Sequence, residues 1–186
     1  YLMAEKLGFD KCRVMGMAGV LDSARMAFFI SENHGGGVKD TRCMVLGGHG
    51  DSMVPMPQFS TINGVSVTAM FAQSDIDAIN QRTKGGGAEI VNLLKTGSAY
   101  YAPSAAAVAM AKSIMRDEKR LLPAAAHLTG QYGLEDIYIG APVVLGKNGV
   151  ERVVELELDD EGRAKLHASA EAIRQDVATL AEKGLV

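Results

Sequence analysis

A chain of 186 residues with 47% hydrophobic and 22% charged residues has the composition of a folded globular protein, long enough for one domain with a sizeable core or two small ones. Its 19 basic and 22 acidic residues leave a formal charge of −3 with no basic block, which argues against nucleic acid as a partner. No apolar run approaches the roughly 20 residues of a membrane span, no signal peptide opens the chain, and Cys12 and Cys43 sit in short apolar runs like buried reduced thiols, so the sequence reads as cytoplasmic and not membrane-bound.

In chain order, "YLMAEKLG" begins at Tyr1 rather than Met and reads as the last turns of a helix stopped by Gly8, as if an element began upstream. "CRVMG" (12–16) predicts a short strand. Residues 20–35 predict a helix, with Leu21, Ala24, Phe28 and Phe29 on its apolar side and Gly35 at its stop. The triplet Gly35-Gly36-Gly37 is a flexible break, and "TRCMVLG" (41–47) predicts a continuous strand buried on both faces. In "FSTINGVSVT" (59–68) the Asn63-Gly64 pair suits a tight type I′ hairpin turn. A helix follows from Ser74 to Lys95, with a bend, a break or close packing expected at Gly85-Gly86-Gly87, since each glycine costs about 1 kcal/mol against alanine.

"APSAAAVAMAKSIMRD" (102–117) predicts a closely packed, alanine-rich helix with Pro103 in its first turn. The stretches "RLLPAAAHLT", "DIYIGAPVVLG" and "ERVVELELD" predict strands; in the last, Val154, Leu156 and Leu158 alternate with Glu155 and Glu157. Asp159 to Lys183 reads as an amphipathic helix with Leu166, Ala170, Ile173, Val177 and Leu180 on one face. The order of elements gives an α+β class, mainly antiparallel, rather than a regular βαβ alternation.

Several motifs are absent. No G-x-G-x-x-G fingerprint occurs, and Gly85-Gly86-Gly87 has the wrong spacing. "GAPVVLGK" (140–147) has one residue too many for a phosphate loop and Asn148 where Ser or Thr is needed. There is no G-x-S-x-G elbow, and the histidines and cysteines lack zinc-ligand spacing, so no metal is expected.

Two stretches carry chemistry, "GVLDSAR" (19–25) and "GGHGDSMVP" (47–55). Asp22 and Arg25 share a helix face. Read alone, Asp22 is a first-turn acid with an exposed ion pair, and His49 is a loop histidine. Read together they form a general acid/base, because a carboxylate beside an imidazole favours the imidazolium. Arg25 adds a planar fork for a substrate carboxylate. Such equipment suits a small 2-hydroxy or 2-oxo acid.

"GMAGVLDSAR", "LGGHGDSMVP", "EIVNLLKTGSAYYAP" and "LTGQYG" together resemble the NAD-dependent malate dehydrogenases of the lactate/malate dehydrogenase family, over essentially the whole chain. The resemblance implies that residues 1–186 are the C-terminal, substrate-binding and catalytic domain, a mainly antiparallel sheet packed with long helices. The N-terminal Rossmann domain that binds most of the NAD would lie outside this chain. It implies a tricarboxylic acid cycle oxidoreductase that interconverts (S)-malate and oxaloacetate by hydride transfer to or from NAD.

His49 would be the proton acceptor and donor and would meet the nicotinamide. Asp22 would orient His49, Arg25 would bind the substrate carboxylate bidentately, and Ser98 would be the small hydroxyl beside the substrate, with Ala99 next in register. Gly48 stands where lactate dehydrogenases usually have glutamate, and Met26 where the family commonly has phenylalanine. The family forms homodimers and homotetramers. An L-lactate or other 2-hydroxy-acid dehydrogenase half is the alternative enzyme, and a non-catalytic assembly module the alternative of another class. The remaining histidines read as structural: His34 at a helix end, His127 partly buried and His167 on the polar side of the last helix. Tyr100 and Tyr101 read as packing.

Overall fold

The computed structural model describes residues 1–185, with only the backbone described at Met3. The chain opens with helix α1 (Leu2–Leu7), closed by Gly8 at φ 63°. The strand expected at 12–16 is instead a 3-10 turn over Lys11–Arg13, because the Asp10 carboxylate accepts the Cys12 N–H at 3.1 Å and caps the turn. Only Gly16 reaches a sheet, through a single bridge to Ala125.

Helix α2 (Gly19–His34) forms with Gly35 as its left-handed cap. Its buried face matches the expected one at Leu21 and Phe29 and differs elsewhere: Asp22, Arg25, Met26 and Ile30 also point inward, whereas Ala24 is exposed and Phe28 is 48% exposed. The inward face therefore carries two charged residues, which hydrophobic periodicity cannot register.

The run 41–47 is not one strand. Strand β1 (Thr41–Arg42) and strand β2 (Val45–Gly47) belong to different sheets. Between them the Met44 N–H donates to the buried Ser60 hydroxyl at 3.3 Å, and the Met44 carbonyl accepts from Met56 at 2.9 Å, so the chain changes partners there. Strand β3 (Met53–Pro55) returns against β2. The predicted hairpin is present as β4 (Thr61–Ile62) and β5 (Val65–Ser66), with Asn63 at φ 47° and Gly64 at φ 88° in its turn. β1, β4 and β5 make a small sheet in that order.

After the short helix α3 (Val67–Met70), helix α4 (Gln73–Leu94) runs without interruption through its three glycines. Their missing side chains let the helix close on α2: a Cβ at Gly86 would lie 3.3 Å from Arg25 Cδ and 3.4 Å from the Phe29 ring. Arg82 spans the glycines to reach Glu89 at 2.9 Å and stacks 4.1 Å over Phe29. Tertiary packing thus offsets the poor helix propensity.

Helix α5 (Tyr101–Met115) leads into the main sheet, β6 (Arg120–Thr129), β7 (Glu135–Gly146) and β8 (Gly149–Val153). Its order is β3-β2-β7-β6, with β8 also on β7, and every pairing is antiparallel. The strand expected through Leu158 stops at Val153. Past its end the Val154 N–H still donates to the Pro142 carbonyl of β7 at 2.8 Å, and residues 154–159 keep alternating burial, but the Tyr132 hydroxyl accepts from Leu156 N–H at 2.9 Å and donates to the Val154 carbonyl at 3.2 Å. Helix α6 (Asp160–Glu182), capped by Asp159 on the Gly162 N–H, lays Leu166 and Ala170 into the core with Leu46, Leu128 and Ile139. The α+β, mainly antiparallel expectation holds.

Candidate functional site

The site lies where β2 ends beside the first turns of α2. At Gly47 the chain crosses the middle of β7 so closely that a Cβ on Gly140 would meet the Gly47 carbonyl. Gly47 (φ 81°) and Gly50 (φ 74°) take backbone conformations that other residues disfavour, and between them His49 is extended. The imidazole is 51% exposed.

Asp22 approaches from α2, its side chain wholly buried, with Oδ2 3.0 Å from His49 Nδ1. A carboxylate oxygen accepts, so Nδ1 carries the proton of that bond and Nε2 is left for a substrate. Arg25 follows one turn later. Its Nη1 is 3.6 Å from Asp22 Oδ1, close enough for an ion pair but too long for a hydrogen bond.

The Arg25 side chain is 9% exposed, and among the described residues it makes no hydrogen bond; Arg25 Nε and Asp22 Oδ1 are buried without a hydrogen-bond partner. A buried guanidinium with unmet donors is costly unless a ligand supplies the acceptor. Helix α4 leaves room for one, since a Cβ at Gly87 would sit 3.5 Å from both terminal nitrogens of Arg25.

Burial pushes the Asp22 carboxyl above its ordinary value of 3.8, with His49 and Arg25 opposing the shift. A carboxyl with a raised folded-state value contributes stability that is present below the unfolded value and lost as pH rises through the folded one. Ionised Asp22 therefore weakens the fold at neutral pH. Asp22→Asn is expected to melt above the parent at pH 7, with the gap closing as pH falls toward 4. Thermal melts across that range check it, and a constant offset would contradict it.

The structure brings together three of the four residues singled out in the sequence. Ser98 stands on the exposed segment 95–100 between α4 and α5, and its hydroxyl makes no hydrogen bond with His49, Asp22 or Arg25. Tyr100 and Tyr101, expected to pack, are 53% and 77% exposed and stack on each other. Both cysteines are free and half-buried, and burial pushes the Cys43 thiol up to about 12. His34 ends α2 edge-on to Phe71. His127 is satisfied by Asp136 at 2.9 Å, and His167 reaches the Tyr132 carbonyl at 2.9 Å.

Two groups escaped the sequence reading: Gly86 and Gly87 against Arg25, and Ser169 of α6, whose Oγ accepts the Gly48 N–H at 2.8 Å. The signal for Ser169 was a hydroxyl on the apolar stripe between Leu166 and Ala170.

The family described as lactate/malate dehydrogenase, alpha/beta C-terminal domain, matches residues 19–183. The chain is 57% identical over 180 residues to a malate dehydrogenase of Roseiflexus castenholzii, covering 97% of this chain and 58% of that protein. It is 52% identical over 178 residues to malate dehydrogenase 1 of Anaeromyxobacter dehalogenans, covering 96% and 57%. Among solved structures, malate dehydrogenase from Salinibacter ruber superimposes with a TM-score of 0.92 at 46% identity, over 97% of this chain and 60% of that one. A lactate dehydrogenase from Eimeria maxima with NADH and oxamate gives 0.91 at 36% identity, over 97% and 57%. The chain thus spans 57% to 58% of the length of these curated relatives. With its α+β architecture and the matched span, the chain belongs to the lactate/malate dehydrogenase family, as an alpha/beta C-terminal domain.

Proposed function

We propose that this chain is the substrate-binding, acid–base half of an NAD-dependent malate dehydrogenase that interconverts (S)-malate and oxaloacetate. The observation that carries the reading is the buried Arg25 guanidinium, without a hydrogen bond, one helical turn from the Asp22–His49 pair. Arg25 offers parallel donors to the C1 carboxylate of the substrate. In malate oxidation His49 Nε2 takes the C2 hydroxyl proton while hydride leaves C2. In the reverse direction the imidazolium returns that proton to the carbonyl oxygen. Asp22 fixes the ring through Nδ1 and stabilises the cation.

The residues present fit the reacting end of NAD, because the imidazole is half-exposed beside a guanidinium that makes no hydrogen bond. When bound, NAD supplies the hydride acceptor; no phosphate cradle for the rest of it occurs in this sequence. His49 is the residue here that meets the nicotinamide, and Ser98 is kept as the hydroxyl beside the substrate.

Malate is favoured over lactate by the names of the relatives and by Gly48. A Cβ there would run into the Ser52 hydroxyl, so the glutamate usual in lactate dehydrogenases needs the Ser52 side chain to move aside. A role as a non-catalytic module leaves the buried Arg25 Nε, which makes no hydrogen bond, without a ligand to satisfy it.

The same reading makes the intact protein a cytoplasmic homo-oligomer. An apolar groove of about 680 Å³ between α2, α4 and α5, with Phe28 48% and Leu93 75% exposed at its walls, supports a subunit contact. No helix among the described residues is long and apolar enough to cross a membrane.

The test is turnover. The 186-residue chain alone is expected to oxidise malate negligibly. Fused behind the remaining N-terminal segment of the Roseiflexus castenholzii relative, it is expected to reduce NAD with malate and much less with lactate. Ordinary turnover by the chain alone, or a folded fusion inert toward malate, would overturn the proposal.

A further inference from the structure

His49 sits on a stretch without regular structure, and its side chain is anchored at one atom, Nδ1. Gly47 is held in β2 against β3 and β7, but Gly48 and His49 belong to no strand, so no ladder fixes the backbone that carries the imidazole. Alignment of Nε2 therefore needs a backbone constraint, and one comes from helix α6, 121 residues away: the Gly48 N–H donates to Ser169 Oγ at 2.8 Å.

Ser169 is 4% exposed, on a helix face whose neighbours Leu166 and Ala170 are fully buried. Helical hydroxyls commonly return to their own backbone, as Thr83, Ser104 and Thr179 do in this chain by donating to the carbonyl four residues back. The Ser169 hydroxyl instead has its recorded hydrogen bond with the catalytic loop. Gly47 and Gly48 permit the approach: a Cβ on Gly47 would lie 2.8 Å from Ser169 Oγ, and one on Gly48 would lie 3.5 Å from it.

We infer that Ser169 is a positioning residue for His49, setting the loop backbone through Gly48 while Asp22 sets the ring, so that the packing of α6 governs proton transfer. The inference rests on the proposed role of His49 as proton acceptor. It predicts a loss in kcat rather than in substrate binding, because the Ser169 hydroxyl bonds the Gly48 N–H and, among the described residues, makes no hydrogen bond with Arg25.

The experiment uses the fusion with the Roseiflexus castenholzii segment carrying Ser169→Ala. Its kcat for malate oxidation is expected to fall about 10-fold to 100-fold with little change in KM, as for a small misplacement of a reacting group. The downfield NMR signal of the His49 Nδ1 proton, shared with Asp22, is expected to broaden through faster exchange. Ser113→Ala is the control, because Ser113 is a fully buried serine bonded to the Leu145 carbonyl, away from the site; it should lower the melting temperature and leave kcat and the ring signal unchanged. If Ser169→Ala keeps the parent's kcat and ring signal, or if Ser113→Ala loses as much of both, the inference is wrong. Should the parent fusion itself fail to oxidise malate, the proposed function falls, while the ring signal still decides whether Ser169 positions His49.

Discussion

Replacing His49 with glutamine in the fusion is expected to lower kcat for malate oxidation by about 10²-fold to 10⁴-fold, the range of a lost general acid/base. Glutamine keeps a donor near Asp22 Oδ2 but cannot hold a proton and release it near neutral pH. Because Arg25 and the glycine face of α4 are untouched, the affinity for substrate and for NADH should remain near that of the parent. Steady-state kinetics and a nicotinamide fluorescence titration check the two halves of the expectation. A glutamine variant with turnover within about 10-fold of the parent would remove His49 from the chemistry.

The second large effect belongs to Arg25→Lys. Lysine keeps the positive charge opposite Asp22 Oδ1 and loses the planar fork that fits a carboxylate. In the proposed reaction the contact with C1 of the substrate would be the same before and during hydride transfer, so its loss should weaken binding more than the chemical step. KM for malate is expected to rise about 10-fold to 100-fold, the scale of a charged hydrogen bond of roughly 1.5–3 kcal/mol. The change in kcat should be far smaller. An unchanged KM would mean that the unmet donors of Arg25 serve no substrate.

Asp22 shows how the same arrangement costs stability. Its carboxyl is buried beside His49, and burial raises its value further than His49 and Arg25 lower it. The melting experiment on Asp22→Asn and the turnover of the same variant are therefore expected to move in opposite directions, a more stable protein and a poorer catalyst.

Much of the fold was legible because local rules and tertiary structure agree. Gly8, Gly35 and the Asn63-Gly64 turn all take the positive φ that their residue types suggest. Helix α6 follows its apolar stripe from an aspartate cap, and β6 covers the expected stretch. Where the reading failed, a particular contact overruled the local pattern. Asp10 converted an apolar run into a 3-10 turn, and Ser60 and Met56 split the run 41–47 between two sheets. The Tyr132 hydroxyl took the hydrogen bonds that would have extended β8.

The sequence by itself determined the residue types and their local frame. It placed Asp22 and Arg25 one turn apart on a helix and set His49 among small residues at the end of a buried strand, because helical spacing and glycine conformation are local properties. Only the tertiary structure decided that Asp22 meets His49 at 3.0 Å, that Arg25 is buried with its donors unmet, and that Gly87 and Ser169 frame the two. Those facts depend on α2, α4, α6 and β2 packing together across long stretches of chain. Burial and unmet hydrogen bonds belong to that packing, and no spacing along the chain encodes them.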